Sequence, residues 1–247
     1  MPHFIKLKLL SVILLFCSNL SSDSFKYNHF NNHGSIGLIN MPTARFLDES
    51  AFGFTAYDGT PDQKITMTAY PYNWLEASVF YTNIQDKPYP NYEFQDYKDK
   101  GFNIKLRLKE EGVFPSIAIG MNDIAGTGFY SSEYIVSSYG IDKLDLHFGL
   151  GWGNLNGFDD LNNPLTNISE RFESRPSKFK DRGGSFDINR YFSGKSVSPF
   201  FGISYLLKEN MLLKVERDST LTPGIMEYKD RNSQLSFGID YSLKENF

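Results

Sequence analysis

Beyond residue 24 the chain carries no sustained helical stripe of apolar residues; apolar and polar positions alternate instead. Phe102, Ile104, Leu106 and Leu108 are interleaved with Asn103, Lys105 and Arg107. Leu144, Leu146, Phe148, Leu150 and Trp152 are interleaved with Asp145, His147, Gly149 and Gly151. The same holds for Leu235, Phe237, Ile239, Tyr241 and Leu243 around Ser236, Gly238, Asp240 and Ser242. Side chains of a strand point to opposite faces with period two, so these runs predict strands with one apolar and one polar face. Ten strands are expected, near 52–58, 64–70, 74–82, 100–108, 116–122, 130–138, 143–152, 197–207, 211–217 and 233–243, with twelve as the alternative count.

Alternation arises where an apolar face meets a soluble core, and also where it meets lipid while the polar face lines a lumen. Three features favour lipid. The strands run to about nine residues, the length that crosses hydrocarbon at a tilt. Gly120, Gly149, Gly151 and Gly238 fall on the polar face, where a narrow lumen tolerates little bulk. Tyr70, Tyr72, Trp74, Phe129, Tyr130, Trp152, Phe200 and Phe201 gather at strand ends, as in interfacial aromatic girdles. Connection lengths alternate too. Short turns at 71–73, 109–115, 139–142 and 208–210 are expected at one end, and connections at 59–63, 83–99, 123–129, 153–196 and 218–232 at the other. Short periplasmic turns opposite longer external loops predict an all-β, antiparallel transmembrane barrel with both termini on the periplasmic side. The strand-like stretch Ser185–Phe192 would break this parity and is expected inside the large loop as a hairpin.

Composition narrows the choice. Among 247 residues there are 22 Phe, 15 Tyr and 2 Trp, too many rings for a disordered chain. A net charge of -4 and a pI near 5.6 argue against nucleic acid as a partner. The single cysteine permits neither an internal disulfide nor a cysteine-rich zinc site. A mean hydropathy of -0.36 excludes a polytopic helical membrane protein but not a barrel, whose strands are half polar. Lys6 and Lys8, the apolar run Leu9–Cys17 and the polar stretch after it read as a secretory signal peptide over residues 1–24. Residues 25–50 then form an N-terminal segment, expected in the lumen, and residues 51–247 the barrel. Phe16 before Cys17 is a poor context for lipid attachment, so plain cleavage is expected. Phe247 continues the phase of Tyr241 and Leu243, as a terminal aromatic assembly signal would.

Several stretches carry a more specific pattern: GLINMPTAR (Gly37–Arg45), PYNWLEASVFYT (Pro71–Thr82), YKDKGFNIKLRLKEE (Tyr97–Glu111), PSIAIGMNDIAGTGFYSSEYIVSS (Pro115–Ser138) and LDLHFGLGWG (Leu144–Gly153). Together these resemble the YjbH family of Gram-negative outer-membrane proteins linked to exopolysaccharide production, including capsule-associated GfcD-like members. The resemblance implies an outer-membrane β-barrel working with periplasmic products of a polysaccharide operon. Members are usually much longer, and the match is to their N-terminal portion.

The candidate site is a lumenal polar network. Arg45 is expected to fold inward and pair with one of Glu76, Asp145, Glu216 or Asp240, since an isolated charge in a narrow barrel is costly. Lys105, Arg107, His147 and Lys214 share the inward phase. This network reads first as structural and second as a polar track for a glycan or an ion. In DIAGTGFYSSEY, Gly126 and Gly128 permit tight turns that Asp123 and Glu133 would cap. No G-x-S-x-G is present, and Asp145 near His147 is what any polar lumen would show, so no catalytic site is expected. His29 and His33 have a metal-like spacing that reads as incidental, and neither metal nor cofactor is expected. The leading expectation is a non-enzymatic barrel assisting exopolysaccharide or capsule biosynthesis or export. Its expected partners are outer-membrane lipid, polysaccharide and periplasmic export or assembly proteins. Sugars are expected to meet Phe158, Phe172, Phe179 and Tyr191 on the large loop. A small passive channel, a soluble exported ligand-binding sheet and a lumenal hydrolase using His147 are the alternatives.

Overall fold

The structure is a computed structural model that describes residues 28–89, 92–176, 188–221 and 234–243. The expected signal peptide, Phe179 and Phe247 lie outside the described residues. Eleven strands form one antiparallel sheet. They are β1 (Phe52–Asp58), β2 (Asp62–Tyr72), β3 (Leu75–Tyr89), β4 (Tyr92–Lys109), β5 (Ser116–Asn122) and β6 (Ser132–Ile141), followed by β7 (Leu144–Gly153), β8 (Leu161–Asn162), β9 (Ser196–Lys208), β10 (Met211–Arg217) and β11 (Leu235–Tyr241). Each long strand pairs with its sequence neighbours, from β1 through β7 directly to β9 and on to β11; the two-residue β8 pairs β9 off this path. Among the described residues no helix is long and apolar enough to cross a membrane.

Register carries the alternation from strand to strand. Phe54 opposes Met67, Met67 opposes Val79 and Val79 opposes Phe102. Further on, Leu146 opposes Ile203, Ile203 opposes Val215 and Val215 opposes Phe237. The outcome inverts a soluble protein. Phe54, Met67, Phe102, Phe148, Phe201 and Phe237 are exposed, whereas Lys105, Asp145, Lys214 and Glu216 are buried. Exposed apolar patches on soluble monomers rarely exceed a few hundred Å²; here exposed large apolar side chains run over β1, β2, β3, β4, β6, β7, β9 and β11.

What buries the polar face is the segment 28–47. It doubles back on itself through bridges Phe30–Ile36 and Gly37–Pro42. Its residues Ile36, Leu38, Met41, Ala44 and Phe46 form the core with Tyr70, Ala118, Tyr134, Val136, Leu155 and Phe200. The sheet wraps this segment far enough that consecutive residues touch both edge strands. The Phe30 ring lies over Gly53 of β1, and the His29 imidazole is 3.6 Å from Asp240 of β11.

The structure differs from the sequence expectations in five places, the first being the count: eleven strands where ten or twelve were expected, the added one being the two-residue β8 inside the long connection. No ladder joins β1 to β11 among the described residues, so the sheet is open where a closed cylinder was expected. The expected loop 83–99 is a hairpin instead: Asn83 opposes Lys98, Ile84 opposes Tyr97 and Tyr89 opposes Tyr92. Its backbone ladder persists after the apolar alternation fades. Of the aromatic girdle, Tyr72 and Trp74 are exposed and stacked with centroids 5.3 Å apart, and Phe201 is exposed. Tyr70, Tyr130 and Phe200 point inward, and Trp152 keeps its outward phase but is covered by Phe192. Finally, Ile188–Arg190 is a single 3₁₀ turn rather than part of a hairpin.

The inward glycines are seats rather than savings of bulk. A Cβ on Gly120 would sit 2.2 Å from Cζ of Tyr134, and one on Gly149 would sit 2.2 Å from Cζ of Phe200. A Cβ on Gly202 would sit 2.4 Å from Cδ1 of Leu38. Small residues on the wall let large ones fill the middle.

Candidate functional site

The inner segment is polar at its backbone, and the inward charges of the strands answer it. Glu216 on β10 accepts from the backbone N–H groups of Ile39 (2.9 Å), Asn40 (2.9 Å) and Met41 (3.1 Å). Beside it, Lys214 donates to the carbonyls of Gly37 (3.1 Å) and Leu38 (2.8 Å) and pairs with Asp240 at 2.5 Å. One acid and one base thus satisfy both kinds of backbone group in a tight bend that has no ladder of its own.

Across the interior, Glu76 on β3 pairs with Lys105 on β4 at 2.7 Å. It also accepts from the Tyr70 hydroxyl at 2.8 Å and from the Ser35 hydroxyl. Lys105 spends its other donors on the carbonyls of Ile36 (3.2 Å) and Arg45 (2.9 Å). Arg45 holds Asp145 with a two-pronged contact, Nε to Oδ2 at 2.9 Å and Nη2 to Oδ1 at 2.6 Å, and also meets Glu111. Those two carboxylates hold the guanidinium above its ordinary pKa against the opposing effect of burial. Arg107 lies apart from this network, pairing with Glu110 at 3.1 Å and covering the Phe46 ring at 4.6 Å.

His147 has Ser138 Oγ 2.8 Å from Nδ1 and Asp145 Oδ2 3.5 Å from Nε2. All three residues are buried, Ser138 already accepts from the Ala44 N–H at 2.9 Å, and Asp145 is committed to Arg45. The trio carries the residue types of a hydrolase triad, but its acid is held by Arg45 and all three side chains are buried. At the tip of the segment His33 meets Lys64 Nζ at 2.9 Å through Nδ1. An ammonium only donates, so Nδ1 accepts and the ring is neutral. Burial first, and then the charge of Lys64, hold the His33 pKa down at about 3. Lys64 in turn pairs with Asp62 at 3.3 Å and lies 3.9 Å from the Tyr130 ring centroid. His33 and Lys64 were not among the expected network; the inward phase of Lys64 was the available signal.

In the expected loop motif, Asp123 does cap its turn: its φ is +54° and its carboxylate accepts from Tyr130 N at 3.2 Å. A Cβ on Gly126 would fall 1.7 Å from that carboxylate, and Gly128 has φ +84°. Burial, and then nearby Asp99, push the Asp123 pKa up to about 7. Glu133, expected to cap the same loop, instead binds Arg175 of the long connection at 2.7 and 2.9 Å and the Phe192 N–H at 2.9 Å. Phe158 and Tyr191, expected to meet sugars, are buried; Arg217 covers the first at 4.1 Å, and the second donates its hydroxyl to Ile124 O at 2.7 Å. Phe158 and Tyr191 are thus consumed by packing, whereas Leu161, Ile168 and Ile188 of the same connection are exposed. Among the described residues no cluster of metal-binding side chains forms.

The model of the family described as Exopolysaccharide biosynthesis protein YbjH matches residues 29–247. The chain belongs to the YjbH family. It is 32% identical over 223 residues to the uncharacterized lipoprotein YjbH of Escherichia coli (strain K12). That match covers 88% of this chain and 30% of the relative, so the chain spans under a third of that YjbH protein. No solved structure matches the chain.

Proposed function

We propose that this chain sits in the Gram-negative outer membrane as a β-barrel, its interior filled by residues 28–47, and assists exopolysaccharide or capsule biosynthesis or export without catalysing a reaction. The carrying observation is the inverted sidedness: apolar side chains face out from the sheet while Glu76, Lys105, Asp145 and Glu216 are buried. In water such a surface would aggregate; in hydrocarbon it is the stable arrangement. Lipid also requires that β1 and β11 pair with each other or with further strands, because an unsatisfied edge costs several kcal/mol per group there.

The polysaccharide role rests on the family membership. Both ends of the inner segment meet the short-turn end of the sheet, where Asn28 donates to Phe46 O at 3.0 Å. In this reading the short-turn end faces the periplasm. An anchor at Cys17, as the lipoprotein relative invites, would then reach the inner leaflet from that side. The filled interior disfavours a passive channel, and the burial of Ser138, His147 and Asp145 disfavours a hydrolase. Deleting the gene is expected to change secreted polysaccharide under inducing conditions, with the protein extracted from membranes by detergent alone. Unchanged surface glycan would remove the polysaccharide role, and recovery in the soluble fraction would remove the membrane one.

A further inference from the structure

The outward face of β1–β4 changes character row by row toward the end of the sheet opposite the short turns. Phe54, Met67, Val79 and Phe102 lie abreast and form an apolar row. In the next row Ala56, Ile65 and Tyr81 lead across to Lys100. In the row after that Asp58, Gln63 and Asn83 lead to Lys98. Tyr81, Phe102 and both lysines are exposed. A strand advances about 3.4 Å per residue, so Lys100 stands about 7 Å and Lys98 about 14 Å beyond Phe102 along β4. A tilt of about 45° makes these about 5 and 10 Å of height, and the headgroup layer beyond the hydrocarbon is about 5–7 Å deep. With Phe102 at the last acyl level, the two ammonium groups bracket that layer, their stems lying on the strand surface.

Both cations are free to meet a partner. Neither side chain is ion-paired among the described residues. Asp99, between them in sequence, takes the opposite phase and is buried. The carboxylates on the outward face are engaged by amides, Asp58 by Gln63 at 2.9 Å and Asp96 by Asn83 at 3.3 Å. Other cations at this end are consumed within the protein: Arg175 by Glu133 and Arg217 by Asp160, each at 2.7 Å. On the far flank of β4 lies the β5–β6 connection. There the Ile124 N–H donates to Phe102 O at 2.9 Å, and a Cβ on Gly126 would lie 2.7 Å from Lys100 O. Residues 124–128 of that flank carry no charge, so none of them competes for the lysines.

We infer that Lys98 and Lys100 form a docking site for the phosphate of an outer-leaflet glycolipid, whose acyl chains lie along Val79, Tyr81 and Phe102. The apolar row below fixes the height, the shared phase turns both lysines toward the bilayer, and their charge selects an anionic headgroup. This names a lipid partner for the membrane-spanning sheet proposed above. It rests on that reading, with the end opposite the short turns on the outer side.

The test uses the purified full chain folded in a neutral detergent. It is titrated with diphosphoryl lipid A, dephosphorylated lipid A and phosphatidylglycerol, with inorganic phosphate as competitor, and retained lipid is counted by native mass spectrometry. Saturable retention of diphosphoryl lipid A is expected. A basic residue near an anionic surface contributes about fivefold in affinity. Lys98→Gln with Lys100→Gln should therefore weaken retention about tenfold or more, and about 0.5 M salt should weaken it as well. Lys109→Gln with Lys143→Gln, at the short-turn end, should leave it unchanged. Both double variants should keep the wild-type heat-modifiable band, since none of these ammonium groups holds the interior. Equal retention of the dephosphorylated lipid or of phosphatidylglycerol overturns the inference, and so does insensitivity to the Lys98→Gln, Lys100→Gln pair. Full displacement by equimolar inorganic phosphate would mark an anion contact only, and overturns it too. No saturable retention, by a chain that detergent alone extracts from membranes, sinks this site and leaves the membrane reading. Recovery of the chain in the soluble fraction sinks both.

Discussion

The two faces of the sheet use opposite rules. On the convex face the side chains are apolar, exposed, and differ little in kind from strand to strand: Phe54, Met67, Phe148 and Ile203 are interchangeable with other large apolar residues as far as their surroundings go. On the concave face each residue has a specified partner, and the partner is often backbone. Glu216 serves three N–H groups and Lys105 two carbonyls. A nonspecific solvent asks only for hydrophobicity, whereas a packed polar interior asks for every donor and acceptor to be matched.

The sharpest break should come from the concave side. Arg45→Ala leaves Asp145 and Glu111 buried without their cation, and loss of one partner from a buried pair costs about 3–5 kcal/mol. The folded, heat-modifiable band is expected to melt far earlier than wild type; an unchanged melting point would mean that Arg45 does not hold the interior. A convex-face charge comes next. Phe148→Arg is expected to cost about 2–4 kcal/mol in bilayers, measured by denaturant titration from vesicles, and a change at the rim such as Tyr72→Arg about 1 kcal/mol or less. Equal costs at both depths would argue against hydrocarbon there.

A smaller effect tests the seats. Gly120→Ala presses on Tyr134 and is expected to cost about 1–3 kcal/mol, the usual range for overpacking, with Tyr134→Leu in the same chain recovering part of it. The smallest concerns the loop end. The Asp123 carboxyl, raised in the folded protein to about 7 from an ordinary 3.8, holds its proton more tightly folded than unfolded. Its contribution is therefore full below about pH 3.8 and is lost as pH rises through about 7. Neighbouring Asp99 reinforces this and Arg190 opposes it. Protease nicking of the 123–131 connection should rise between pH 5 and 8, and Asp123→Asn should flatten that rise.

The strands and their phases were legible because alternation is a local signal. It placed Glu76, Lys105, Asp145, His147 and Glu216 on one face before any partner was known. Partners were not legible, because the choice of Asp145 over Glu76 for Arg45 depends on how residues 28–47 lie inside the sheet. Tyr70 and Phe200 were misread for a related reason: an aromatic at a strand end looks the same whether it anchors at an interface or fills a space above a glycine. The 83–99 hairpin was hidden because backbone ladders continue without any apolar pattern. Glu133 illustrates a third limit, since its partner Arg175 lies 42 residues away.

The most direct measurement is depth-resolved contact with lipid. Spin labels placed by Phe148→Cys, Ile135→Cys and Ile203→Cys, and by Thr66→Cys on the concave side, would be read in vesicles against oxygen and a water-soluble nickel chelate. A membrane-spanning sheet predicts that the first three favour oxygen strongly, as acyl chains do, and that Thr66→Cys is shielded from both. Nickel access at Phe148, Ile135 and Ile203 equal to that of an exposed turn would contradict it.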